Sequence, residues 1–460
     1  MKTRPLNGPQ RSEDRYGFGP QAEPLRRVLG FPDLLVISAA SIGPAFSLAT
    51  TLGPMVASGG SATPLALVLV TAIMAMVAAG YRRLGQRYPQ AGSSYAWVRI
   101  AFGRVTGAYA AWVLIVANIF AIVATAVPAG AYTLALLAPQ LASSPRATAL
   151  VATAWVIAAG VLLYTGLRPT ARVTNLLLVA ELAVLGASAG AALLHAPIAH
   201  AAITAPPPPA GALIAAIVIG IWMTDGWEVS ASTAEEATGA SSLPGWGGLA
   251  GLAVSALALW LCIAGFLRVG TLDGFAAHEG DAMAYVGGQL GGSGWSHLVA
   301  VTVLVSLAAS LQTTLVYLTR SFYAMGRDGV LPQALGALDR RSQPAVAIVL
   351  ISGVGIAFTL ASGLSPTLKS AFDFILGATS FFLGVLFLMS AAAAVRIFKD
   401  EPSARFDGVL LPGLATALLA LVLGASLYES DPTTRWFIVV GALVGFPLAL
   451  WRGRATDVPI

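Results

Sequence analysis

Apolar runs of about 20 residues recur along the whole chain, and they decide most of what it can fold into. A helix rises about 1.5 Å per residue, so a run of that length crosses the roughly 30 Å of hydrocarbon in a bilayer. Inside lipid every backbone N–H and C=O needs a partner within the protein, which leaves helices or a closed barrel. The short alternating segments of a barrel do not occur in this sequence. Composition agrees: 57% of the 460 residues are hydrophobic and 10% are charged, against about 25% charged in soluble domains. The expected fold is an all-α integral membrane protein. It has about twelve transmembrane helices, near 31–58, 63–84, 105–137, 148–167, 171–195, 211–238, 248–269, 296–324, 344–362, 370–397, 409–428 and 434–451.

A net charge of +5 and a pI near 9.5 could suggest a nucleic-acid partner, but topology accounts for them. Lys and Arg gather in the polar N-terminus and in alternate loops: Arg82, Arg83 and Arg87, then Arg168 and Arg172, then Arg320, Arg327, Arg340 and Arg341, then Arg396, Lys399 and Arg405. The other loops carry only Arg146, Arg268, Lys369 and Arg435. Basic residues stay on the cytoplasmic side, so both termini are expected there, with the chain multi-pass in the plasma (inner) membrane. The first 30 residues are polar, and the first apolar run reads as a retained anchor. "APPPPAG" (205–211) reads as an external linker, and 273–294 as a longer external segment with a short surface helix. Cys262 is the single cysteine, so no internal disulfide can form.

Two spans are interrupted. "LLVISAASIGPAFSLATTLG" (34–53) contains Gly43 and Pro44; proline has no N–H and clashes with the preceding helical turn. "WMTDGWEVSASTAEE" (222–236) places Asp225 and Glu228 around Gly226 directly after an oily run. Broken helices are tolerated in lipid where the freed backbone lines a cavity, and paired breaks in two halves mark the site of an inverted-repeat transporter. Spans 1 and 6 are five apart, so a second unit of five starts from the opposite side of the membrane. The bland alternative is a pair of packing kinks.

Three local stretches then resemble the amino acid–polyamine–organocation (APC) transporter superfamily: "YPQAGSSYAWVRIAFG" (88–103), "SFYAMGRDGVLP" (321–332), and the span 6 sequence. The resemblance implies a LeuT-like fold with two inverted five-helix repeats, 31–195 and 211–397. Flanking them are a cytoplasmic arm (1–30), the linker 196–210, peripheral helices over 398–451 and a cytoplasmic tail (452–460). It also implies that the unwound parts of spans 1 and 6 bind substrate through backbone groups, with Trp222 at the position of the family's gating aromatic and Glu228 at that of its glutamate. This chain departs from the pattern in "SIGPA" (41–45), where Pro44 removes an amide that could hold a carboxylate. It departs again at Asp225, where the family has an apolar residue.

The candidate substrate-binding residues are therefore Ser41, Ile42, Gly43, Pro44, Trp222, Asp225 and Gly226. Glu181 and Glu228 are candidates for proton coupling or gating, because an ionisable group inside a span is costly and functional by default. Each has a structural alternative: Glu228 as a cap on freed amides, Glu181 as an acid bonded to a neighbouring helix. Asn118 and Gln312 are mid-membrane amides suited to interhelical hydrogen bonds or to substrate contact. Glu235 and Glu236 read as a solvated end of span 6 or a gate paired with arginines. The four histidines lack metal-ligand spacing, so no metal is assigned, and no cofactor is expected. A channel would want a continuous ring of polar groups, an enzyme a reactive cluster at depth, and an ATP-driven pump a phosphate-binding loop; none is found. The expected function is secondary transport of an amino acid or related organic amine, proton-coupled, with exchange without net proton coupling as the alternative. The expected partners are that small molecule, a proton and lipid, not nucleic acid.

Overall fold

The computed structural model describes residues 25–195, 209–430 and 432–454. The N-terminal arm to residue 24, the linker from 196 to 208 and the end of the C-terminal tail from 455 lie outside the described residues. Among the described residues sixteen α-helices follow one another: α1 (Phe31–Ile42), α2 (Pro44–Gly59), α3 (Thr63–Arg87), α4 (Ser93–Phe102), α5 (Arg104–Leu137), α6 (Pro145–Thr165), α7 (Leu167–His195), α8 (Ala210–Met223), α9 (Val229–Ser232), α10 (Leu243–Val269), α11 (Leu272–Ala277), α12 (Ala282–Arg327), α13 (Ala345–Ser362), α14 (Leu368–Phe398), α15 (Leu411–Glu429) and α16 (Pro432–Arg454). The described residues contain no strand, only an isolated bridge between Leu29 and Ala237.

Among the described residues ten stretches are long and apolar enough to cross a membrane. The expectation of about twelve spans differs from that number for two reasons. Phe31–Arg87 runs through spans 1 and 2 together, and span 6 is broken, leaving the 14-residue α8 as its longest piece. The outward faces of α6, α7, α15 and α16 carry Leu150, Leu176, Val179, Leu421 and Leu443, each more than 60% exposed. Such surfaces suit lipid, where no hydrophobic force drives helices together and close packing does the work. That packing is visible between α1 and α10. A Cβ on Gly251 would stand 2.5 Å from Ser38 Cβ, and one on Gly247 would stand 2.6 Å from Leu34 Cβ. The expected external segment contains α11 and the first turns of α12, which kinks at Gly291 and Gly292.

Candidate functional site

The break in span 1 is built by two adjacent residues with opposite roles. Gly43 takes the left-handed conformation (φ 57°, ψ 70°) that ends α1, a conformation open to glycine because it has no Cβ. Pro44 then starts α2, where its missing N–H costs nothing. The next two amides at this helix end are satisfied by side chains from distant parts of the chain. Ala45 N–H donates to Glu181 Oε1 (2.7 Å) and Phe46 N–H donates to Ser306 Oγ (3.1 Å). Ser306 in turn donates to the same Glu181 oxygen (2.8 Å). Glu181 is fully buried, and its Oε2 has no hydrogen-bond partner among the described residues.

The break in span 6 is longer. α8 ends at Met223, and regular helix resumes only at Val229. Between them Gly226 lies at φ 114°, and its N–H donates to Glu228 Oε2 (3.1 Å). The two breaks touch: a Cβ on Gly226 would fall 2.7 Å from the Ser41 carbonyl carbon and 2.9 Å from Ile42 N. α12 braces the contact, with Ser310 Oγ donating to Ser41 O (2.9 Å).

A narrow cavity, with about 390 Å³ of space between atoms when its opening to solvent is counted, lies where the breaks meet. Ser41, Ile42, Trp222, Asp225, Gly226 and Glu228 all line it, as does Asn118, whose amide donates to Leu114 O of its own helix (3.0 Å). Trp222 meets Phe46 edge to face (6.1 Å, 87°). Asp225 Oδ1 is buried without a hydrogen-bond partner among the described residues. Four candidates are not brought to the lining. Gly43 and Pro44 form the break without facing the cavity, Glu181 stands behind α2, and Gln312 is buried elsewhere on α12. The lining adds Phe46, Ala121, Val229, Ser310, Thr314 and Tyr317. For Ser310, Thr314 and Tyr317 a signal existed: steps of four and three residues put these polar groups on one face of α12. Phe46 had no such signal.

The three stretches that carried the family resemblance converge at one end of the molecule. Glu235 receives both terminal guanidinium nitrogens of Arg327 (3.0 Å each) and Ala91 N–H (2.8 Å). Tyr95 donates to Asp328, which also lies 3.5 Å from Arg99. Burial raises the Asp328 carboxyl above its ordinary range and pushes the Tyr95 phenol well up. Glu236 accepts two bonds from Arg320 (2.9 and 3.0 Å), and Arg320 also reaches Gln343 Oε1 (3.0 Å). Arg320 and Glu236 are both fully buried. Of the two readings for Glu236, a solvated helix end is excluded and pairing with arginine holds. A carboxylate without water must be paired and hydrogen-bonded. The chain ahead of α1 is pinned to the same place, with Val28 and Leu29 N–H donating to Glu236 O (2.8 and 3.0 Å).

Comparison with known proteins adds to this geometry. The sequence model of a family described as amino acid permease matches residues 29–446. The branched-chain amino acid permease BcaP of Lactococcus lactis subsp. cremoris (strain MG1363) is 27% identical over 377 residues, covering 75% of this chain and 77% of that protein. The uncharacterized transporters Mb2022c of Mycobacterium bovis and Rv1999c of Mycobacterium tuberculosis are each 28% identical over 409 residues, 87% of both chains.

Proposed function

Since the chain belongs to the amino acid permease family, we propose that it is a proton-coupled secondary transporter moving an amino acid or related organic amine across the plasma membrane by alternating access. The observation that carries this reading is the meeting of two helix breaks at one cavity that holds two carboxyl groups. α8 points its C-terminal end at the break, where free carbonyls carry partial negative charge. Asp225 and Glu228 add to that charge, so the turn suits an ammonium group. Trp222 offers an aromatic face to the same cation, an attraction of about 0.5–2 kcal/mol. In this proposal the broken spans 1 and 6 open the cavity to each side of the membrane in turn, with both termini cytoplasmic.

Glu181 is the coupling residue in this proposal. Its Oε1 ties α2 to α7 and α12, while Oε2 is left to carry a proton. Gain or loss of that proton changes the grip on the N-terminal end of α2, and so the tilt of the outer half of span 1. The test is a Glu181→Gln protein in proteoliposomes. Its uptake is expected to ignore an imposed pH gradient while exchange of internal for external substrate continues. Full drive by the gradient would remove Glu181 from coupling.

A further inference from the structure

We propose that the cavity selects an organic amine that carries no carboxylate over the α-amino acid from which that amine derives. This rests on the transporter reading above and narrows its substrate class. The ionisable acids of the lining are Asp225 and Glu228; among the described residues no Lys, Arg or His lines it. A zwitterion bound there brings its own carboxylate into a confined space beside two acidic side chains, with no side-chain cation of the described lining to pair with it.

Backbone amides are the other means of holding a carboxylate, and the N-terminal end of a helix is the usual place to find them. In span 1 that place is already filled. Pro44 has no N–H, Ala45 N–H is given to Glu181, and Phe46 N–H is given to Ser306. Gly43 N–H closes a turn onto Ala39 O (3.2 Å). In span 6, Gly226 N–H is held by Glu228 and Asp225 N–H by Trp222 O (3.2 Å). The protein therefore supplies its own anion, Glu181, at the helix end where a substrate carboxylate would otherwise dock. What the lining still offers is acceptor capacity, with Asp225 Oδ1 unpartnered among the described residues, plus neutral donors such as the Trp222 indole. Those acceptors suit –NH₃⁺, which has three hydrogens to give and none to receive.

The test uses the purified full chain in detergent and in proteoliposomes, with four matched pairs of probes: isopentylamine and leucine, phenethylamine and phenylalanine, agmatine and arginine, putrescine and ornithine. Binding is read by thermal stabilisation and by competition for uptake. In at least one pair the amine is expected to bind ten-fold or more tightly than its parent amino acid. Asp225→Asn is expected to shrink that ratio at least five-fold. The inference is overturned if, in every pair, the amino acid binds as tightly as the amine, or if no amine binds. Amino acid uptake with inert amines would overturn it while leaving the transporter reading intact; a protein that binds no amine and carries no amino acid would sink both. The parent protein gives the primary comparison, so the amine-to-amino-acid ratio decides the matter even where Asp225→Asn folds poorly.

Discussion

The contact between the two breaks can be tested by adding a single carbon to each glycine. At Gly226 a Cβ would lie 2.7 Å from the Ser41 carbonyl carbon, 2.8 Å from Ser41 Oγ and 2.9 Å from Ile42 N. Two of those atoms are backbone and cannot rotate aside. The φ of 114° also lies outside the left-handed well that other residues can enter. Strain of about 1–3 kcal/mol and overpacking of about 1–3 kcal/mol give a cost of about 2–6 kcal/mol for Gly226→Ala. Gly43 differs. Its φ of 57° is a left-handed value costing about 1–2 kcal/mol for alanine, and its nearest atom would be Ser306 Oγ at 3.0 Å, with nothing else closer than 3.4 Å. Gly43→Ala is therefore the milder change, although both sit at the same junction. Thermal unfolding in detergent should rank the parent above Gly43→Ala and Gly43→Ala above Gly226→Ala. Uptake should survive in reduced form in the Gly43 variant and vanish in the Gly226 variant, because separating the breaks opens the cavity wall. A Gly226→Ala protein with the melting temperature and uptake of the parent would refute the claim that the two breaks are pressed together.

Arg320→Ala should cost about 3–5 kcal/mol of stability, since it strands the buried Glu236 carboxylate without its partner; thermal unfolding and membrane yield check this, and an undiminished yield with unchanged melting would argue against it. A reporter fused after Arg341, in the loop between α12 and α13, should signal a cytoplasmic location, and an external signal there would break the proposed orientation.

The sequence by itself determined the solvent and the kind of element. Runs of apolar residues must sit in lipid, and in lipid the backbone must pair locally, so helices follow from composition and length alone. It also determined where helices fail: "SIGPA" and "MTDGWE" interrupt two of them through the local chemistry of glycine, proline and buried charge. The folded structure decided what those interruptions touch. Glu181 was legible as an acid at membrane depth, but its bond to Ala45 spans 136 residues. No periodicity or local propensity encodes a contact at that separation. Glu236 shows the same limit from the other side, since its position at the end of span 6 left water and pairing with an arginine both open. Its partner Arg320 lies 84 residues on, and only packing removed both from solvent. Span 8 lies between these cases. Its polar stripe at Ser310, Thr314 and Tyr317 is written in helical spacing, while the direction in which the stripe faces was fixed by the packing of α12 against the broken helices. A helix rule knows its own turns, and the field a substrate meets is assembled from side chains that distant turns bring together.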